Sequence, residues 1–343
     1  MSAAAISDQG VCPTSTLNGF RLRGLASLRM VGMLLFAITA NAAVDGVVVN
    51  QTTGKPQAGA TVTLYKVTTE GPTSLESVKS SADGKFTIKQ EPAGGPHLLQ
   101  AAYDGVTYNK MLPPGMPSTG LMVNVYNSTP QRGAVKIMQH MILLEPSATE
   151  LSVKESFFYK NDGKTTWNDA VRGNLRFEIP AGSRGNVEVN ATAPQGMPIR
   201  RAPEKTDEPG VMKVDFPVKP GETRIDLSYK VDFKSPGKFS GRSLEKAEST
   251  MMAIPAGVEV KGEGIEDRGK EPSTQASIFS VIRDKYTVEM NGTGELGGGA
   301  RNEDDGPEIQ VSPARVMERK YYVIGLAGAI LLLSFLRQLQ KKA

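Results

Sequence analysis

The sequence of 343 residues is poor in the residues that many enzyme centres use, with one cysteine, two histidines and one tryptophan. The cysteine, Cys12, precedes an apolar run at residues 30–40, so a chain cleaved after this run has no thiol and no disulfide. A zinc peptidase uses histidines and a glutamate in patterns such as H-x-x-E or H-E-x-x-H. His97 is followed by Leu-Leu-Gln and His140 by Met-Ile-Leu, so neither histidine begins such a pattern. These absences argue against a cysteine nucleophile and a zinc peptidase, and we expect both histidines to lie within strands.

Other catalytic signatures are incomplete. Residues 181–185 read Ala-Gly-Ser-Arg-Gly, whereas a nucleophile elbow requires glycine in place of Ala181. Residues 163–165 read Gly-Lys-Thr, which matches the end of a phosphate-binding loop, but Phe158 occupies the position of the first glycine of that loop. We therefore predict no enzymatic activity, no cofactor, and no catalytic, cofactor-binding or metal-binding residue; the ligand-binding residues stay unknown. A glycosidase-like pair of carboxylates remains open, because the 36 Asp and Glu residues offer many combinations.

The apolar run near the N-terminus has the features of a secretory signal. Arg21, Arg23 and Arg29 precede residues 30–40, and the small residues Ala42 and Ala43 follow. A basic flank, an apolar run and a small-residue end predict a signal peptide over residues 1–42, cleaved after Ala42. The alternative is an uncleaved membrane span, although a span requires about 20 apolar residues.

A second apolar run, at residues 321–336, contains no charged residue. Tyr321 and Tyr322 begin this run, and Arg337, Lys341 and Lys342 follow it. Tyrosines at one membrane interface and cations at the other predict a transmembrane helix over residues 319–337, with a cytoplasmic tail at 338–343. A buried core helix is the alternative, but such a helix normally has a polar face.

The basic character of the chain comes from these two ends. The whole chain has 40 Lys and Arg against 36 Asp and Glu. Seven of these residues lie in the signal or behind the span: Asp8, Arg21, Arg23, Arg29, Arg337, Lys341 and Lys342. The remainder has 34 basic and 35 acidic residues. A nearly neutral body predicts no nucleic-acid partner, because nucleic-acid binding requires a concentrated basic surface.

From residue 44 onward, short alternating or β-branched runs are separated by Gly, Pro, Asn and Asp, which is typical of antiparallel sheet. The Asp83-Gly84 pair predicts the strongest turn, because a tight hairpin requires positive φ. The first region, residues 43–128, has enough strands for a small sandwich. Its predicted strands are 44–49, 60–67, 75–79, 85–89, 97–103, 106–110 and 122–126.

Three spaced motifs in this region resemble one known family. Residues 44–49 contain G-x-V, residues 54–60 read Gly-Lys-Pro-Gln-Ala-Gly-Ala, and residues 83–86 read Asp-Gly-Lys-Phe. Together they resemble the carboxypeptidase regulatory-like family over residues 44–127, about a quarter of the chain. The resemblance implies a transthyretin-like β-sandwich accessory module, found on many secreted and membrane-anchored bacterial proteins, that carries no catalytic residues.

The second region, residues 129–290, is also rich in predicted strands and forms one sandwich or two, with a break near residue 235. Asp162-Gly163 predicts a hairpin turn after the strand at 150–159. Residues 200–210 form a charged, proline-bracketed loop, which we interpret as a solvated connection, with a binding loop as the alternative. The Gly-rich and acidic residues 291–316 predict a flexible linker to the membrane.

The predicted fold class is therefore all-β: tandem β-sandwich domains of transthyretin-like or immunoglobulin-like type, plus one C-terminal transmembrane helix. We predict a non-catalytic protein of the bacterial cytoplasmic membrane, with its body in the periplasm and an envelope protein as partner. The alternative function is a binding module for carbohydrate or cell-wall polymer. Sugar sites present aromatic rings, so an exposed Trp167 beside Tyr159 favours this alternative and a buried Trp167 disfavours it.

Overall fold

A computed structural model describes residues 44–296 except residues 91, 93 and 181. These residues form strands, turns and loops, and no α-helix occurs among them, which confirms the predicted all-β class. Within the same range, no helix is long and apolar enough to cross a membrane. The predicted signal peptide at 1–42, most of the linker at 291–316, the predicted span at 319–337 and the tail at 338–343 lie outside the described residues.

Strands occur along the whole described range. The first twelve are β1 Val44–Asn50, β2 Lys55–Pro56, β3 Thr61–Thr68, β4 Gly71–Lys79, β5 Lys85–Ile88, β6 His97–Tyr103, β7 Val106–Leu112, β8 Leu121–Val125, β9 Ser128–Thr129, β10 Val135–Pro146, β11 Glu150–Asn161 and β12 Thr166–Trp167. The others are β13 Leu175–Glu178, β14 Ser183–Thr192, β15 Ile199–Arg201, β16 Glu204–Lys205, β17 Val211–Val214, β18 Gly221–Asp232, β19 Gly237–Arg242, β20 Ala247–Ile254, β21 Glu259–Glu263, β22 Ile265–Lys270, β23 Ser277–Val281 and β24 Lys285–Asn291.

The strands divide between two compact units, of which the first contains residues 44–134 and 162–169. One of its sheets has the order β4-β3-β6-β7, and in the other β1 pairs with β2, β5 and β8. The alternating residues of these strands place one face of each sheet in a shared core, which includes Val48, Val62, Leu99 and Val123. The first unit is therefore a β-sandwich, and all seven strands predicted in it are present.

Two glycines of the family-like motifs lie where a side chain has no room. A Cβ atom on Gly46 would lie 2.0 Å from the carbonyl oxygen of Leu121, because β8 runs parallel to β1 at this point. Gly84 has a φ of 74°, and a Cβ there would lie 2.7 Å from the carbonyl oxygen of Val48. The Asp83-Gly84 turn is present, but the hairpin prediction is wrong: β5 pairs with β1, whereas β4 pairs with β3.

The hairpin predicted at Asp162-Gly163 is also wrong. Strand β11 ends at Asn161 and pairs with β10 and β18, not with the next strand along the chain. Residues 162–169 instead belong to the first unit, where β12 pairs in parallel with β9. A turn signal in the sequence cannot reveal that residues 162–169 belong to the first unit. It indicates that the chain reverses, but not which strand the following residues pair with.

The second unit contains residues 135–161 and the described residues from 170 onward. Its largest sheet has the order β15-β14-β18-β11-β10-β20-β23-β22, and two further sheets have the orders β13-β17-β16 and β19-β24-β21. One core joins Leu144 and Leu151 of the large sheet with Phe239 and Val288 of the third sheet. Strands β20, β22 and β23 therefore share a sheet with strands that precede residue 235.

Candidate functional site

Both histidines lie within strands, as predicted, and both are buried. In the first unit, His97 on β6 has its Nδ1 atom 3.2 Å from the carbonyl oxygen of Gly95. In the second unit, His140 on β10 has its Nε2 atom 2.7 Å from the Glu155 carboxylate. Among the described residues, no group of three or more His, Cys, Asp and Glu side chains is arranged to hold a metal ion.

Trp167 is a core residue of the first unit and is 1% exposed. Its indole Nε1 donates a hydrogen bond to the carbonyl oxygen of Pro130 at 3.1 Å, and the Arg132 guanidinium lies 5.3 Å from the ring centroid. Tyr159, in the second unit, is also 1% exposed. Neither ring offers a free face to a sugar. The burial of Trp167 disfavours the carbohydrate-binding alternative.

Three ionisable side chains lie together in the second unit, on three adjacent strands. We call His140 on β10, Glu155 on β11 and Tyr229 on β18 the buried triad. All three occupy the inward phase of their strands, and all are at least 92% buried. Because β11 pairs with both β10 and β18, the Glu155 carboxylate lies between the other two side chains.

The Glu155 carboxylate is hydrogen-bonded through both oxygens. The Tyr229 hydroxyl donates to Oε1 at 2.8 Å, and the His140 Nε2 atom lies 2.7 Å from Oε2. The imidazole of His140 also stacks on Phe157, with ring centroids 4.0 Å apart. These contacts satisfy a carboxylate that would otherwise be costly to remove from water.

Burial dominates the electrostatics around this carboxylate. Burial, and then the charge of Glu155, raise the pKa of Tyr229 well above its ordinary value. The pKa of Tyr286, on β24, is raised for the same two reasons. Both hydroxyls therefore stay protonated at neutral pH, which lets Tyr229 act as a hydrogen-bond donor.

Charged side chains at the rim of the same region form a second network. Arg242 donates to Glu208 at 2.8 Å and to Glu178 at 3.2 Å, and Arg176 donates to Glu208 at 2.8 Å. The hydrogen bond from Arg242, supported by Arg176, holds the pKa of Glu208 below its usual range. We call these four residues the Arg242 network; it is more exposed than the buried triad.

The space beside the buried triad is very small. A cavity of about 10 Å³ is lined by His140, Glu155, Tyr229, Ser243 and other residues. The His140 Nδ1 and Ser243 Oγ atoms are buried and have no hydrogen-bond partner among the described residues. A serine, a histidine and a glutamate are the residue types of a hydrolase triad, but this volume accommodates about one water molecule and no substrate.

The sequence contains a signal for the buried triad in the alternation of β11. Along β11, the inward positions are Leu151, Val153, Glu155, Phe157, Tyr159 and Asn161. Glu155 is the charged member of this set, so the period-2 pattern marks it as a buried carboxylate that requires partners. The positions of Tyr229 and His140 as those partners depend on strand register, which the sequence alone does not give.

The charged loop at residues 200–210 lies between two sheets of the second unit. It contains part of β15, the end strand of the large sheet, and all of β16, the end strand of the β13-β17-β16 sheet. Together with residues 185–187 and others it lines a cleft of about 870 Å³. Most residues of the loop are exposed, and residues of both of its strands line this open cleft.

Comparisons with known proteins identify the first unit more clearly than the second. Residues 43–116 match the family described as carboxypeptidase regulatory-like domain. Among solved structures, the chain is similar to an M1 zinc metallopeptidase from Deinococcus radiodurans, at 11% sequence identity and a TM-score of 0.25, over 46% of this chain and 42% of that chain.

A mutant M1 zinc metallopeptidase from Deinococcus radiodurans, bound to a Tyr-Ser-Ala substrate, is similar at 12% identity and a TM-score of 0.26, over 46% of this chain and 42% of that one. The chain thus spans less than half the length of these solved structures. No curated protein matches it significantly. Residues 43–116, within the first unit, form a carboxypeptidase regulatory-like domain, a non-catalytic module of transthyretin-like β-sandwich type.

Proposed function

We propose that this chain is a non-catalytic protein of the bacterial envelope, anchored in the cytoplasmic membrane by its C-terminal apolar run. Its two β-rich units project into the periplasm and interact with another envelope protein. The proposal extends to the whole chain what the carboxypeptidase regulatory-like family implies for residues 43–116.

The observation that carries the non-catalytic part of the proposal is the closure of the buried triad. His140, Glu155 and Tyr229 are the arrangement in the described residues that most resembles acid–base machinery. Their neighbouring cavity of about 10 Å³ has no room for a substrate. The triad is therefore better suited to fixing three strands in register than to chemistry.

The location rests on the two ends of the sequence. A signal peptide over residues 1–42 directs the body out of the cytoplasm, and cations behind residues 321–336 favour a cytoplasmic C-terminus. Fractionation of cells that express the tagged full-length chain tests this location. We expect the chain in the membrane fraction after an alkaline carbonate wash, and a Leu331→Arg/Leu332→Arg variant in the wash. Recovery of both chains in the wash contradicts the anchor.

The interaction role is tested by crosslinking the full-length chain in intact cells, followed by purification and mass spectrometry. We expect one defined set of envelope proteins, lost from the Leu331→Arg/Leu332→Arg variant because the body no longer lies at the membrane. If no protein is recovered and the chain is instead retained on purified cell wall, a polymer-binding module replaces this proposal.

A further inference from the structure

The cleft beside the charged loop is lined in part by two strands that end their sheets. Within the described residues, β15 pairs only with β14, and β16 pairs only with β17. Each is therefore the terminal strand of its sheet, and residues of both strands line the cleft. A terminal strand presents backbone N–H and C=O groups that an additional extended chain can pair with.

The charged side chains that line the cleft are mostly cationic. Arg200, Arg201 and Lys205 line it, and Glu208 is the one acidic residue that does so among the described residues. The Glu208 carboxylate is already held by Arg176 and Arg242. Arg200 is bonded to Glu188 on the neighbouring strand. The positive charge available to a ligand therefore comes mainly from Arg201 and Lys205.

The surroundings of Arg201 concentrate this charge. Its guanidinium lies 5.4 Å from the centroid of the Phe216 ring. Burial, together with the charge of Arg201, lowers the pKa of Lys219 to about 8. Lys219 does not line the cleft, so Arg201 is the cation of this pair that a ligand in the cleft meets.

We propose that this cleft binds an extended acidic peptide segment of a protein partner, which adds as a strand to the edge of β15 and β16. Successive side chains of such a strand alternate between the two faces of the sheet, and Arg200 and Arg201 also lie on opposite faces. Acidic residues on one face of the peptide thus meet the Arg201 guanidinium, whereas Arg200 on the other face is already bonded to Glu188. Cations at an edge oppose pairing with basic strands, which makes the edge selective for acidic ones.

The proposal rests on the proposed function, since it names the surface and the chemistry of the protein partner. It also predicts the physical character of binding. Backbone pairing gives the peptide its affinity, whereas the charges give selectivity and salt dependence. We expect binding to weaken as salt rises above about 0.15 M, where charges beyond about 8 Å are screened.

The test uses the full-length chain in detergent and a fluorescent peptide of alternating Glu and Val, with binding followed by anisotropy. The cleft variant is Arg201→Gln/Lys205→Gln. Its matched control is Lys89→Gln/Arg283→Gln, two exposed cations outside the cleft lining with the same loss of charge. Three further probes are the same peptide with a methylated backbone, a peptide of alternating Lys and Val, and polygalacturonate.

We expect the Glu-Val peptide to bind, the cleft variant to bind it about tenfold more weakly, and the control to bind it as the wild type does. Methylation of the backbone should remove binding, since it blocks strand pairing. Equal loss in the cleft variant and in the control overturns the proposal, because it indicates non-specific charge. Binding of polygalacturonate but not of the peptide also overturns it, in favour of an anionic polymer.

The crosslinking experiment separates the failure of this inference from that of the proposed function. If the cleft variant still recovers the same envelope proteins as the wild type in cells, the interaction role stands and the cleft is not the surface used. If the wild type recovers no protein, the interaction role itself fails. Loss of the recovered proteins from the cleft variant alone supports both.

Discussion

The two units each bury a polar cluster, and the two clusters differ in charge. In the first unit, Asn50 is 2% exposed, and its amide donates to Asn127 at 2.7 Å and to Gln57 at 2.8 Å. Its side-chain oxygen accepts from the backbone N–H of Thr52 at 3.0 Å. We call Asn50 and these three partners the Asn50 cluster. It is built from neutral groups, whereas the buried triad of the second unit contains Glu155 and His140.

The difference predicts that the two clusters contribute to stability in different ways. Neutral amides and hydroxyls form bonds that are insensitive to pH between about 5 and 8, since none of these groups titrates there. A buried carboxylate depends on every partner it has, because loss of one leaves charge or polarity uncompensated in the core. Substitutions in the Asn50 cluster should therefore cost less stability than substitutions in the buried triad.

The largest expected effect comes from replacing Glu155. Glu155→Ala leaves the Tyr229 hydroxyl and the His140 Nε2 atom buried without their shared acceptor, so we expect a loss of about 3–5 kcal/mol in unfolding free energy. Urea titration followed by far-ultraviolet circular dichroism measures this loss. Hydrogen exchange of β10 and β11 locates it in the second unit.

Glu150 provides the matched control for this substitution. It lies on the same strand, but its carboxylate meets Lys230 at the surface, with a side chain that is 35% exposed. Glu150→Ala should cost about 0–1 kcal/mol, because exposed ion pairs contribute little. Similar costs for the two variants would show that Glu155 is not structurally important and would remove the main contrast between the units.

Replacement of Asn50 has the next largest expected effect. Asn50→Ala removes two donors and one acceptor, and its partners lie nearer to solvent, so we expect a loss of about 1–3 kcal/mol. Trp167 is the only tryptophan of the chain and belongs to the first unit, so its fluorescence reports the unfolding of that unit. The loss should be the same at pH 5 and at pH 8. A loss that changes with pH would assign an ionisable group to the Asn50 cluster.

Period-2 alternation was enough to predict most of the fold of the first unit. The inward positions of β1 are Val44, Gly46, Val48 and Asn50, which the pattern Val-x-Gly-x-Val-x-Asn already indicates. The pairing of strands was not predictable in this way, because alternation gives a face and not a neighbour. Both Asp-Gly pairs, at 83–84 and 162–163, illustrate this: neither joins two strands that pair with each other.

The candidate sites were less predictable than the fold. Glu155 stands out in the alternation of β11, but its partners His140 and Tyr229 lie 15 and 74 residues away from it in the chain. A register shift between Ile137 and Gln139 also changes the face that His140 occupies on β10. The cleft depends on which strands end their sheets, which is a property of the whole topology.

Tyr108 links residues 162–169 to the core of the first unit and has a smaller expected effect. Its hydroxyl donates to the Tyr126 carbonyl oxygen at 2.9 Å and bonds with Thr166 Oγ1 at 2.9 Å. Tyr108→Phe removes these bonds, so we expect a loss of about 1 kcal/mol at pH 7, measured by Trp167 fluorescence.

Tyr108 also predicts that the first unit loses stability at alkaline pH. Burial raises the pKa of Tyr108 from 10.0 to about 12, so the folded unit holds a proton that the unfolded chain releases. The corresponding stability is complete below pH 10 and is lost as pH rises toward 12. Tyr108→Phe should flatten this decline. A variant that declines as steeply as the wild type would assign the decline to another group.

The smallest effect is expected at the Arg242 network, which lies near the buried triad but is open to solvent. Arg242→Gln removes the bonds to Glu178 and Glu208, yet water and salt replace much of their attraction, so the change in stability should be far below that of Glu155→Ala.

Arg242 holds the pKa of Glu208 below its usual 4.5, so its contribution is present above pH 4.5 and is lost as pH falls through the lowered value. The wild type and the variant should therefore differ most at neutral pH and low salt, and should converge on acidification. A loss at high salt as large as that of Glu155→Ala would mean that the buried triad depends on its rim, and the contrast between a buried and an exposed network would fail.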